Sequence, residues 1–417
     1  MHCLLRSPAH RSEARLVQEI FILAHVPTPA VNDGFLPAAR ALGRSVVLLT
    51  DCADAHRAHF AGTGLPAYPQ DIVPCDVFNP LAVIDALTRR GGKPAAVFSN
   101  SDHLQAATAI ASAYFGLPGK DWRTAYAAKN KAEMRRRLAE SGIDTLWHAV
   151  VCDRAGLAAL ADVPMPCIVK PREGVASQQV SLARSRAELA EHCGAIWARH
   201  PGQALLLEEY LEGPLYTLET LGDGKALRAL GGFRVTLSTP PYFVELEAVW
   251  GTGLPASVEA EVLDTIRRFG IGFGACHTEY VLTANGPRLI EINYRSIGDY
   301  REFLLSDTLQ FPLFEQILRL HLGEALPALE VPRRAAWIRY FTAQAEGTLR
   351  HAPAHSQHEG DGVRLTYQPL RKVGEAIQLT NSNKDYLGVL RGCGPDSAGL
   401  AAAVELASSK LAWEIAQ

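Results

Sequence analysis

Short apolar runs alternate with segments of helical period along the first 120 residues. Residues 20–26 form an apolar run that ends at Pro27 and predicts a first strand. Residues 35–42 predict a helix stopped by Gly43, and 45–50 a second strand. A third strand over 95–99 feeds a helix over 102–114. Strands alternating with helices argue for an α/β fold with a doubly wound parallel sheet. Asp102 and Gln105 have the spacing of a capping box at the start of that helix, and the cap accounts for Asp102. Gly116-Leu117-Pro118-Gly119 punctuates the pattern and marks the expected end of the first domain.

The pattern changes beyond that point. A helix is predicted from Asn130, which can cap it with Glu133 three positions on, to a stop at Gly142. Strands follow at 167–170 and 204–208, and a strand pair at 227–237 and 242–249. A helix over 257–269 closes at Gly270. Strands at 276–282 and 288–292 are then joined by Ala284-Asn285-Gly286-Pro287, and Asn-Gly between β-rich runs is a hairpin signal. Pro, Ala and Arg crowd residues 326–336, which predicts a further boundary. Beyond it come short strands, one at 386–390, and a last Ala-rich helix over 398–415.

Composition narrows the class. The 417 residues are 48% hydrophobic and 20% charged, ordinary for a globular chain, and at about 150 residues per domain they suggest about three units. Lys and Arg number 41 against 44 Asp and Glu, with no strongly basic segment. Nucleic acid is therefore not an expected partner, and the run Arg135–Arg137 reads as a solvated helix face. The cysteines at 3, 52, 75, 152, 167, 193, 276 and 393 have neither zinc-finger nor redox spacing and read as reduced thiols of a cytoplasmic protein. No run of about 18 apolar residues exists, so no membrane span is expected. The first fifteen residues lack a signal-peptide core and read as a loose tail or an upstream start.

The chemistry concentrates in Thr278-Glu279-Tyr280 and Glu291-Ile292-Asn293-Tyr294-Arg295. Side chains alternate along a strand, so Glu291, Asn293 and Arg295 point one way. The hairpin can bring Glu279 beside Glu291 on that face. Two carboxylates, an amide oxygen and a guanidinium then converge. A hard divalent cation takes such an oxygen set, and close carboxylates are costly unless a cation neutralises them. An outer face carrying ordinary surface charges is the alternative.

These residues, within Gly274–Glu279 and Leu289–Asp299, resemble the metal-binding end of the ATP-grasp superfamily. The similarity is to its carboxylate–amine ligase branch, which includes amino-acid ligases and carnosine-synthase-like enzymes. The resemblance implies that Glu279, Glu291 and Asn293 hold magnesium, with manganese as the alternative, and that Arg295 holds the transferred phosphate or the acyl phosphate. Lys131, in Lys129-Asn130-Lys131, and Lys170, in Ile168-Val169-Lys170-Pro171, resemble the family's two phosphate lysines. Gly174-Val175-Ala176-Ser177-Gln178 stands where the family has a phosphate-covering loop, to which Ser177 would contribute, although the family loop carries more glycines. Leu206-Leu207-Glu208-Glu209-Tyr210-Leu211 resembles the adenine hinge. There Glu208 and Glu209 would lie at the adenine edge, Leu211 over the ring, and Glu219 near the ribose or polyphosphate. Leu215 stands where a Glu is common in the family. His277 is expected to be a core histidine rather than a catalytic one.

The resemblance implies an ATP-grasp fold. It would comprise an N-terminal pre-ATP-grasp domain (1–120), a small lid subdomain (121–205), a large subdomain with the metal site (206–328) and a small β-rich C-terminal part (329–417). The implied activity is ligation of a small carboxylate to an amine through an acyl phosphate, with ATP as cofactor, behind a lid at 172–179 that excludes water. Neither nucleic acid nor membrane is a partner in this reading, and a homodimer is compatible with it. By analogy the pathway class would be peptide-like natural-product or siderophore assembly. An ATP-grasp carboxylase or phosphotransferase, or a non-catalytic nucleotide-binding module, are the alternatives.

Overall fold

The computed structural model describes residues 19–61, 68–91, 93–328 and 334–416. The first fifteen residues and Cys3 lie outside them, as does part of the boundary expected near 326–336; the seven cysteines within them are free thiols.

The N-terminal sheet is parallel, in the order Asp71–Pro74, Val46–Thr50, Ile20–Leu23, Ala96–Phe98. Its two middle strands are wholly buried, as expected of a sheet covered on both faces. Ala96–Phe98 is thus the fourth strand in chain order, not the third. Asp71–Pro74 escapes a reading by pattern because it is four residues long and ends in proline. The helix Pro80–Arg90, also missed, carried a legible start: Asn79 caps it by accepting from the Leu81 N–H at 3.0 Å, and Pro80 opens its first turn.

The capping box at Asp102 does not form. Residues Asp102–Leu104 make a single 3₁₀ turn, and the α-helix Gln105–Tyr114 starts without a side-chain cap. Gln105 instead donates to the carbonyls of Ser99 and Ser101 and accepts from the buried Lys120 ammonium at 2.6 Å. Asp102 is used elsewhere. The cap at Asn130 does form, accepting from the Glu133 N–H at 3.2 Å, and opens the helix Lys131–Glu140.

Next comes a four-stranded antiparallel sheet, ordered His148–Val151, Leu205–Glu209, Cys167–Pro171, Ser181–Ala183. The helix Arg186–Arg199 contributes Leu189, Cys193, Ile196 and Trp197 to the core it shares with this sheet.

The largest sheet has ten strands. The hairpin Phe273–Thr283 and Gly286–Asn293 forms one end, and Leu215–Asp223, absent from the sequence reading, pairs along the hairpin's inner strand. The turn closes at Gly286, whose φ of +100° suits glycine. The predicted strand 227–237 is two strands, Leu227–Gly231 and Phe233–Leu237. A side chain at Gly232 would meet the Thr217 carbonyl, so the chain breaks there. Beyond Glu245–Trp250 the same sheet continues through Ala335–Thr342 and Tyr386–Gly394 to Ser356–Gly360, which makes the C-terminal part β-rich and ties it to the hairpin. The last helix, Ser397–Ser408, stops short of the expected 415, and Glu414–Ala416 pairs as a strand with Gly347–His351. Between them Trp413 packs on Phe341, which takes this segment out of helix. No helix among the described residues is long and apolar enough to cross a membrane.

Candidate active site

Antiparallel register sets Glu279 directly opposite Glu291, and His277 directly opposite Asn293. The second edge of Phe273–Thr283 sets His277 opposite Glu219. His277 is therefore enclosed by acids. Its Nδ1 lies 2.8 Å from Glu219 Oε1, and its Nε2 lies 3.3 Å from Glu279 Oε1. Burial alone would push its pKa down, but Glu219 and Glu279 outweigh burial and bring it up to about 9. The ring is buried, as expected of a core histidine, and it links two carboxylates. Glu219 faces this imidazole and not the cavity described below.

Lys131 opens its helix with its ammonium 2.8 Å from Glu291 Oε1 and donates to the Gly174 carbonyl, also at 2.8 Å. Burial works against its charge, yet Glu291 holds its pKa above the usual lysine value. Lys170, at the end of Cys167–Pro171, lies 2.5 Å from Glu208 Oε2. The other Glu208 oxygen accepts from Arg135 Nε at 2.6 Å. Burial pushes the Glu208 carboxyl up, but Arg135 and Lys170 outweigh it and hold the pKa at about 2.

Arg135 corrects the reading of 135–137 as a solvated face. It is 2% exposed and donates to the Leu289 carbonyl at 2.8 Å, joining the helix to both Glu208 and the hairpin. Its neighbour Arg136 is exposed and pairs along the helix with Glu133 and Glu140. The available signal was spacing: Arg135 follows Lys131 by four residues and shares its face.

Arg295 lies past the end of Gly286–Asn293, on the following loop. Its guanidinium donates to Asp102, with Nη2 at 2.7 Å and Nε at 2.9 Å, and Nη1 donates to the Ser296 carbonyl at 2.9 Å. Asp102 is thus the partner of Arg295 and not a helix cap. Burial raises its carboxyl, and Arg295 with Lys129 brings it below the usual range.

These groups open onto one cavity of about 890 Å³ between the sheets. Lys131, Lys170, Glu208, Glu279, Glu291, Asn293 and Arg295 all line it. Leu211, Ile168, Leu146, Val281 and Ile290 give it an apolar slot. Beside the slot the Glu209 N–H is bonded to the Trp147 carbonyl and the Tyr210 N–H to the Pro166 carbonyl. The Glu209 carboxylate accepts from the Trp147 N–H at 3.4 Å. Ser177 lies on the wall in the segment 172–179, where Ala176, Ser177 and Gln179 have φ of 57°, 53° and 59°. Non-glycine residues seldom adopt this region, and here three do without glycine's help. The Ala176 carbonyl accepts from the Asn383 N–H at 3.1 Å, so the loop rests on the C-terminal part.

The oxygen set fits a hard divalent cation. Glu279 and Glu291 face each other in register, and the Asn293 amide donates to Glu279 at 3.4 Å, which leaves its carbonyl oxygen as an acceptor. The positive charge that offsets Glu291 is the buried Lys131 ammonium.

Residues 128–299 match the family model described as an ATP-grasp domain, a span that holds every candidate metal and phosphate residue above. Residues 128–299 carry an ATP-grasp domain. This ATP-grasp chain is 25% identical over 362 residues to the uncharacterized protein y4rH of Sinorhizobium fredii, covering 83% of the chain and 74% of the relative. It is 28% identical over 407 residues to carnosine synthase 1 of Gallus gallus, covering 89% of the chain and 41% of that protein. The chain thus spans less than half of the carnosine synthase it matches. Its fold is similar to the crystal structure of an L-amino acid ligase from Bacillus licheniformis, with a TM-score of 0.79 and 19% identity, covering 96% and 99% of the two chains.

Proposed function

We propose that this chain is an ATP-dependent ligase that joins a carboxylate to an amine through an acyl phosphate. The observation that carries the reading is the convergence of Glu279, Glu291 and Asn293 with Lys131 and Arg295 on one cavity wall. Glu279, Glu291 and Asn293 would hold magnesium, or manganese, which when bound neutralises charge on the ATP phosphates.

The chain's own residues would do the rest. The slot under Leu211 would take the adenine ring, with the hinge backbone at its edge. Lys131 and Lys170 would hold the phosphates, Lys131 exchanging Glu291 for a phosphate oxygen. A substrate carboxylate oxygen attacks the terminal phosphorus and ADP leaves. The amine nitrogen then attacks the acyl carbon, phosphate leaves and the nitrogen loses a proton. Arg295, oriented by Asp102, would hold the acyl phosphate and the oxyanion that develops on it. The segment 172–179 would cover the phosphates and keep water from the intermediate. Glu219 would act at a distance, by orienting His277 behind Glu279.

The test is ADP release from the purified chain with ATP, magnesium and panels of acids and amines. The reading expects release that needs an acid and an amide product that also needs an amine. Release driven by bicarbonate alone would favour a carboxylase, and no release with any acid would overturn the ligase reading.

A further inference from the structure

Two strands of the N-terminal parallel sheet turn their C-terminal ends to the cavity, the edge at which open α/β sheets place ligands. Residues 23–31, leaving Ile20–Leu23, line it, and so do residues 100–103, just past Ala96–Phe98. The neighbouring strand Val46–Thr50 runs directly into Asp51 and Cys52. Parallel register sets Leu23 opposite Leu49, so His25, two residues on, comes beside Asp51.

Three ligand types meet there. His25 Nδ1 lies 2.8 and 2.9 Å from the two Asp51 oxygens and 3.6 Å from Cys52 Sγ. The ligand atoms of all three residues fall within 4.8 Å of one another. Their backbone is fixed from behind. The buried Thr50 hydroxyl donates to the His25 carbonyl at 2.9 Å and accepts from the Cys52 N–H at 3.0 Å. Nε2 of buried His56 donates to the same carbonyl at 3.0 Å. The Phe78 ring packs against the His25 imidazole near a right angle, with centroids 5.3 Å apart. Asp51 is exposed and the other two are half-buried, so solvent reaches the group.

The shared nitrogen separates a metal site from a catalytic relay. A thiol–imidazole–carboxylate relay uses both ring nitrogens, one for the thiol and one for the acid. Here thiol and acid both face Nδ1, and donors converging on one point suit an ion. A tetrahedral zinc, with bonds of about 2.3 Å to sulfur and about 2.0–2.1 Å to nitrogen and oxygen, sets nitrogen about 3.5 Å from sulfur and about 3.4 Å from oxygen. Cys52 Sγ already stands at that spacing, and the carboxylate has only to withdraw by about 0.5 Å.

We propose that His25, Asp51 and Cys52 bind a transition-metal cation of the zinc class, with the fourth position left to water. Thiolate, imidazole and carboxylate together favour zinc over magnesium, which takes oxygen ligands. The site is distinct from Glu279, Glu291 and Asn293, and it does not depend on the ligase reading. Cysteine spacing does not mark it, because Cys52 stands 27 residues from His25 and the two meet through strand pairing. His25 belongs to the cavity wall, so the ion would anchor residues 24–30 to the end of Val46–Thr50.

Cobalt(II) is the probe, since it occupies zinc sites and reports its ligands by absorption. The full chain, kept reduced with a phosphine and titrated with cobalt chloride, is expected to gain a thiolate-to-metal charge-transfer band in the near ultraviolet. Strong visible bands of tetrahedral coordination should accompany it, and zinc should displace them. Cobalt on the hairpin's oxygen set would give no thiolate band. Cys52→Ser is expected to abolish the band, while Cys152→Ser, at an exposed thiol elsewhere, keeps it. His25→Ala and Thr50→Val are expected to weaken zinc at least about 10-fold, as a ligand and the group positioning two ligands. In the unaltered chain zinc should slow alkylation of Cys52, mapped by mass spectrometry, at least about 10-fold, because a coordinated thiolate cannot attack. No thiolate band, a band that survives Cys52→Ser, or Cys52 alkylation indifferent to zinc would each overturn the site. If a variant does not fold, the band and the alkylation rates of the unaltered chain decide.

Discussion

Arg295 is held by Asp102, a bond at 2.7 Å that ties the loop after the hairpin to the 3₁₀ turn that follows the N-terminal parallel sheet. Asp102 therefore orients the residue expected to hold the acyl phosphate. Asp102→Asn keeps the shape and removes the charge that directs the guanidinium. Product formation is expected to fall about 10- to 100-fold through loss of orientation. Nucleotide affinity, read by calorimetry with a non-hydrolysable ATP analogue, should stay near that of the unaltered chain. Loss of both together would mean that Asp102 supports the fold and not Arg295.

Arg295→Lys keeps the charge and loses the planar fork that can bond Asp102 and an acyl phosphate together. ATP binding should persist while ligation drops by about 2–4 kcal/mol of transition-state stabilisation. ADP and product are followed in the same assay, since residual turnover should run uncoupled. Ligation at the unaltered rate would remove Arg295 from the mechanism.

Glu291→Gln should abolish ADP formation and leave the fold intact. The carboxylate pairs with Lys131 and, in the proposed reading, would hold a cation, so its loss should cost several kcal/mol in the transition state. Turnover is measured at saturating magnesium, with circular dichroism as the check on folding. Near-normal ADP release from a folded variant would refute the metal assignment.

Lys170→Ala has two expected effects, because Lys170 is one of the two cations on buried Glu208. Nucleotide affinity should fall, and removing one partner of a buried pair should destabilise the chain by about 3 kcal/mol. Calorimetry and denaturant unfolding separate the two. Unchanged affinity in a destabilised variant would make Lys170 purely structural.

The Glu208 cluster also sets an acid limit. Its carboxyl stands at about 2 in the folded chain against 4.5 ordinarily, so the folded state favours the ionised form. The stability this contributes is present above pH 4.5 and is lost as the pH falls toward 2. Glu208→Gln should be much less stable than the unaltered chain at pH 7, with the gap narrowing below pH 4. A gap that stays constant from pH 7 to 3 would show that Glu208 is not ionised in the fold.

Local order in the chain determined a good deal. The run around Asn285-Gly286 specified a hairpin, and strand alternation then put Glu279, Glu291 and Asn293 on one face. Asn130 wrote its own cap and so placed Lys131 at a helix start. The ATP-grasp family was legible in the same residues, since the two glutamates and the asparagine are neighbours in sequence or across one short turn.

Tertiary structure alone decided the partners. Asp102 and Arg295 are 193 positions apart, and Arg135 and Glu208 are 73 apart. Nothing local distinguishes an aspartate that caps its helix from one that reaches another sheet, or a solvated arginine from a buried one. Glu219 needed the strand Leu215–Asp223 to be placed beside His277, and that strand is buried over most of its length, so no alternation marks it. A pairing of distant charges is fixed by the free energy of burying both together, a quantity that exists only once the sheets have packed.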